Sequence, residues 1–217
     1  MSQEIIKLML QGIEETFYMV AVATVIGGII GIPLGITLVT TSKGHILENR
    51  FINQILGTIV NIIRSIPFII LMVAIIPLTR LIAGTSIGTT AACVPLTSVA
   101  IPFLSRLVET SIRDVDFGLV EAAESMGATP FQIIRKVLIP EALPTIINNI
   151  TVLIVNLIGA SAMAGAIGGG GLGDIAIRYG YQRFRPDVML ATIIILIVVV
   201  NVIQAGGDFA SRKKNKK

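Results

Sequence analysis

The chain has 217 residues, of which 53% are hydrophobic and 14% charged, with a formal net charge of +4. An ordinary soluble domain is roughly 25% charged, so a water-soluble globule is excluded in favour of a membrane protein. The basic residues fall at the ends of apolar segments and in the C-terminal tail. That pattern is a topology signal rather than a phosphate-binding face, and it argues against nucleic-acid binding.

The first fifteen residues hold Glu4, Glu14 and Glu15 against Lys7 alone, so no cleavable signal peptide is expected. A bilayer core ~30 Å thick needs about 20 helical residues. Charge-poor intervals predict five spans: 16–42, 51–79, 81–105, 142–173 and 188–207. The apolar runs are continuous and do not alternate as barrel strands do. The expected fold is therefore all-α, one membrane domain over 1–217 with its core at about 12–204.

The first span carries Gly27, Gly31 and Gly35 four residues apart. This face of small residues suits close helix packing, within the chain or at a dimer seam. Arg64 interrupts the second span, where it either snorkels to the interface or pairs inside the bundle. Pro33, Pro67, Pro77, Pro95 and Pro102 lie in or beside spans and suit bent helices around a gated path. The single cysteine, Cys93, lies in an apolar stretch and reads as packing. With the one histidine, His45, far away, no zinc site of ordinary spacing is formed.

Placing the N-terminus outside and the C-terminus in the cytoplasm puts eleven Lys and Arg inside and five outside. The positive-inside rule selects this orientation, which makes 106–144 a cytoplasmic loop. Its first half is helix-compatible, with Leu119, Ala123 and Met126 on one face and Glu121 and Glu124 on another. Gly127 is placed to end that helix. Thr129, Pro130 and Gln132 form a capping box that starts a second helix, with Phe131, Ile134 and Leu138 as its apolar stripe. Pro140 and Pro144 are expected to close it. Two such helices need a surface to cover their apolar faces. Either a partner's groove or the chain's own bundle supplies one.

Glu121-Ala122-Ala123, three residues, Gly127, nine residues and Val137-x-Ile139-Pro140 resemble the EAA motif of bacterial ABC importer permeases. Val137 and Ile139 depart conservatively from the family's Ile and Leu. The resemblance implies that these coupling helices, between spans three and four, insert into a cleft of a separate ATPase. Glu121, Ala122, Ala123, Gly127 and Pro140 are then the coupling residues. Asn61–Phe68, Gly127–Pro130 with Lys136–Pro144, and Ser161–Asp174 are similar to the methionine-import permeases. That resemblance implies a homodimer in the inner membrane with two ATPase subunits and an external methionine-binding lipoprotein, moving L- and D-methionine. ATP and magnesium would be bound by the ATPase, and no cofactor by this chain. It also implies that Met163 lies at an outward constriction, with Ser161 beside the path.

The run Gly168–Gly171 with Gly173 lacks the Gly-Lys-Ser/Thr ending of a nucleotide loop. It reads instead as a bendable or closely packed backbone at the outer mouth. The basic tail, 208–217, is expected to anchor to anionic headgroups. An intramembrane enzyme would need paired acids or a Ser/His pair within the spans, and the spans hold no carboxylate. An ion-coupled transporter would need intramembrane ionisable groups, and Arg64 alone qualifies. An ABC permease for another small solute is the alternative within the same class.

Overall fold

The computed structural model describes residues 3–214, and among them every regular element is helical. In chain order these are α1 (Gln3–Thr40), α2 (Arg50–Ser65), α3 (Phe68–Ala74), α4 (Ile76–Ala83), α5 (Thr89–Arg113), α6 (Phe117–Ser125), α7 (Pro130–Ile133), α8 (Ile139–Ala166), α9 (Gly171–Ile175) and α10 (Pro186–Lys214). A π-helical turn at Ile134–Leu138 joins α7 to α8, and another at Ala176–Tyr181 extends α9.

Four helical stretches are long and apolar enough to cross a bilayer: α1, α5, the run Pro130–Ala166, and Pro186–Lys213. The expected second span is not continuous. α2 and α3 meet at 103°, because Pro67 drives Ile66 out of the helical region to φ −86° and ψ 123°. Arg64 stands exposed in the last turn before that break.

The expected third span also shifts. Left-handed Gly84 (φ 72°) caps α4, and α5 starts only after Gly88 (φ 98°). At its other end α5 continues through Arg106, Glu109 and Arg113, which charge counting had assigned to a loop. Buried Glu109 accepts hydrogen bonds from Arg106 at 2.5 Å and Arg113 at 2.8 Å, and Arg106 also donates to Asn61 at 2.8 Å. Paired in this way, the charges stay inside the helix without ending it.

Side-chain partners fix the direction of each crossing. A Cβ on Gly27, Gly31 or Gly35 would meet Ala100, Leu104 or Val108 respectively. The offset is constant, so α1 and α5 run parallel, and the intervening α2–α4 segment must return across the bundle. The glycine seam is thus packing within one chain. Asn149 of α8 donates to Leu107 O and Ser111 Oγ, while Gly88 N–H donates to Gly168 O, so α8 is antiparallel to α5. Ser211 of α10 donates to Pro144 O near the start of α8, and Thr192 meets Met9 Sδ of α1. The described termini therefore lie at opposite ends of the bundle, whose four long spans become five if the bent α2–α3 pair also crosses. One end carries α6 and the other carries Gly168.

Neither Pro140 nor Pro144 stops a helix. Ile139 N–H bonds Ile134 O, five residues back, and this widened turn carries the helix past Pro140 into α8, which also contains Pro144. The interhelical loop is correspondingly shorter than 106–144. α10 likewise runs on to Lys214, so most of the expected tail is helix, and Lys216 and Lys217 lie outside the described residues. Cys93 is buried in the core, its Sγ near Thr89 O.

Candidate functional site

At the α6 end the chain leaves α5 through a short turn. Asp116 caps α6 by accepting from Gly118 N–H at 2.9 Å. The helix ends in a complete Schellman motif: Ala128 N–H donates to Ala123 O at 3.0 Å and Gly127 N–H to Glu124 O at 2.8 Å. Gly127 has φ 77°, the left-handed value that this closure demands. The capping box follows, with Thr129 N–H donating to Gln132 Oε1 at 2.9 Å and Gln132 N–H to Thr129 Oγ1 at 3.4 Å. Two helices of defined geometry thus meet at one glycine.

The faces differ from those expected. Val120 and Ala123 of α6, with Ile133 and Leu138 beyond it, are buried in the main core. Leu119, placed on one face with Ala123 by the sequence, is exposed, as is Phe117. Met126 is 81% exposed and Phe131 69%. The hairpin therefore has two apolar faces, one spent on its own bundle and one left uncovered. Of the five motif residues, Ala123 faces the core, whereas Glu121, Ala122, Gly127 and Pro140 are exposed. Ser125 ties α6 internally by donating to Glu121 O.

The α1–α2 connector braces this hairpin. His45 packs edge-on against Phe117, ring centroids 6.2 Å apart, and its Nδ1 accepts from Ile46 N–H. Burial holds its pKa below the usual histidine value, with Glu124 acting against that shift and Arg113 with it.

At the Gly168 end, Met163 is 51% exposed, whereas Ser161 is 2% exposed and donates to Ile158 O at 2.7 Å. The hydroxyl expected beside a path is committed to its own helix. The glycines form a tight turn: a Cβ on Gly165 would lie 2.4 Å from Asp174 N, and one on Gly173 2.4 Å from Ala162 Cα. Only a backbone without side chains fits there. α9 then packs back on α1, where the Glu15 carboxylate accepts from Gly171 N–H at 2.6 Å and Thr16 Oγ1 from Leu172 N–H at 3.0 Å. Asp174 pairs with Arg178 one turn along. Glu15 read only as a flank of the first span, because its partner lies far along the chain. Val120 and Ile133 were missed because short helices give too few turns to establish a stripe.

Comparison with known proteins gives a consistent result. Residues 27–214 match the family of binding-protein-dependent transport system inner membrane components. A Vibrio cholerae protein described as a probable D-methionine transport system permease protein, MetI, is 58% identical over 206 residues, covering 95% of this chain and 92% of the relative. The D-methionine transport system permease protein MetI of Escherichia coli K12 is 49% identical over 165 residues, 76% of each chain. Among solved structures, a chain of the MetNI methionine ABC transporter in inward-facing conformations superposes with a TM-score of 0.97 at 46% identity, each chain fully covered. A chain of an amino acid ABC transporter shares the fold at a TM-score of 0.76 and 23% identity, over 95% of this chain and 94% of the other.

Proposed function

Because the chain belongs to the binding-protein-dependent transport system inner membrane components, we propose that it is the permease subunit of an ATP-driven methionine importer, carrying the L- and D-forms. The substrate rests on relatives described as D-methionine permeases that share up to 58% identity over nearly the full chain. The machinery rests on the α6–α7 hairpin. Its uncovered Phe117, Leu119, Met126 and Phe131, beside an inner face already packed, are the observation that carries the docking reading. A separate ATPase covers them, with Glu121, Ala122 and Gly127 at the contact and Pro140 at the base of the second helix.

In this reading the α6 end is cytoplasmic and the N-terminus lies outside. Arg106, Arg113, Arg135, Lys136, Arg212 and Lys213 then gather at the cytoplasmic side of an inner-membrane protein. The chain acts as one transmembrane domain in a two-fold dimer with two ATPases. ATP and magnesium bind the ATPases, and this chain hydrolyses nothing. ATP binding closes the ATPase pair, and each hairpin moves as a rigid body because its caps and buried face leave it no internal freedom. The spans then open outward to a methionine-binding protein. Met163 closes the outward constriction, and Ser161 fixes the helix beside it as a small buried neighbour.

Proteoliposomes carrying the permease, ATPase and binding protein test the assignment. ATP-dependent uptake of labelled methionine is expected, at least about tenfold above that of other amino acids, a difference of ~1.4 kcal/mol. Equal or greater uptake of a different solute would reassign the substrate.

A further inference from the structure

The exposed face of α8 has an unusual make-up. Asn148, Val152, Asn156, Gly159, Met163 and Ala166 recur every three or four residues and form one continuous exposed stripe. Two asparagines therefore stand on the open face of a crossing helix. Asn156 lies ten residues before the end of α8, about 15 Å along the axis, near the middle of a bilayer ~30 Å thick.

Three other asparagines are satisfied, although exposed Gln204 of α10 also has no partner among the described residues. Asn149, the next residue after Asn148, donates to Leu107 O at 3.1 Å and Ser111 Oγ at 2.7 Å. Asn201 of α10 is exposed as well, but folds its amide back on Ile197 O at 2.8 Å. Asn53 donates to Leu38 O at 2.6 Å. Asn148 and Asn156 alone among these asparagines have no hydrogen-bond partner among the described residues. An unpaired amide facing lipid hydrocarbon is expensive, so this face meets water or polar partners. Gly159, one turn above Asn156, leaves open space: a Cβ there would have no neighbour within 4 Å.

We propose that this stripe lines the water-filled part of the translocation path, and that Asn156 is the side chain that hydrogen-bonds the amino-acid backbone of the substrate as it passes Met163. The assignment rests on the importer reading above. An amide suits that task. Its NH2 donates to a carboxylate and its oxygen accepts from an ammonium, so it holds a zwitterion without the tight grip of a full charge. Both enantiomers present these groups, so the contact does not select between them.

The test uses the assembled permease–ATPase complex in lipid nanodiscs. Cys93→Ala supplies the background, and cysteine is placed at Asn148, Asn156 or the apolar Ile194 of α10, which is 60% exposed. A charged, water-soluble thiol reagent should modify positions 148 and 156 about tenfold or more faster than 194, since reaction requires a hydrated thiolate. Rates equal to that at 194 overturn the proposal. So does rapid disulfide formation between the two copies without modification, which would mean a closed dimer seam. Asn156→Leu should lower methionine uptake about tenfold per assembled complex, the worth of one hydrogen bond to a charged group. Asn156→Gln should recover most of it, and wild-type uptake by Asn156→Leu refutes the substrate contact. Modification reports on the path whatever the cargo, so a complex that imports another solute fails the function above without obscuring this result.

Discussion

Met126→Glu combined with Phe131→Glu is expected to leave the permease folded in the membrane and to cut ATP-driven uptake about 100-fold or more. Both side chains are largely exposed and contribute little to the core of the chain itself. Burying a Phe or Met side chain contributes about 1.5–3 kcal/mol each, so losing both removes at least ~3 kcal/mol from any contact that covers them. A factor of 100 corresponds to ~2.7 kcal/mol, and carboxylates placed in an apolar cleft add a desolvation cost. Co-purification of the ATPase with the variant, alongside uptake, is the readout. Val120→Glu behaves differently, because Val120 is buried in the core. There the membrane-inserted protein itself should be lost.

Gly35→Val is expected to be the most damaging single change along the α1–α5 glycine seam. A Cβ at Gly35 would sit 2.5 Å from Ser105 O and 2.8 Å from Val108 Cβ. The first of these is backbone, so no rotamer change relieves it. Relief requires α1 and α5 to separate along a seam that also includes Gly27 and Gly31. Overpacking a well-filled core costs about 1–3 kcal/mol, and a clash with backbone belongs at or above the upper limit. Thermal unfolding of the detergent-solubilised protein should show a large fall in midpoint or no folded fraction. Gly28→Val is the control: the next residue to Gly27, it has no atom within 4 Å of its Cβ position, and it should be close to neutral.

The all-helical membrane fold, the glycine seam, the Gly127 cap and the Thr129–Gln132 capping box were all legible in the sequence, since each rests on local composition or spacing. What escaped it depends on contacts distant in sequence. Glu109 looked like the edge of a loop because charge was counted singly, whereas Arg106 and Arg113 neutralise it inside α5. Pro140 looked like a stop because its ring removes a backbone hydrogen bond from a regular α-helix, but the π-turn before it carries the helix past. The second crossing looked continuous because its apolar run passes through Pro67 without a change in hydropathy. The hairpin shows the difference most clearly. Its inner and outer faces are both apolar, so composition left docking and self-packing level. The structure divides them by residue, with Val120, Ala123, Ile133 and Leu138 turned inward and Met126 and Phe131 outward.

Docking by that outward face is the central claim, and amide hydrogen exchange of the permease with and without its ATPase tests it directly. Association is expected to slow exchange across residues 117–133 about tenfold or more, the equivalent of ~1.4 kcal/mol of local stabilisation, while the α1–α5 seam stays unchanged. Protection appearing elsewhere, with 117–133 exchanging as fast as in the isolated permease, would contradict it.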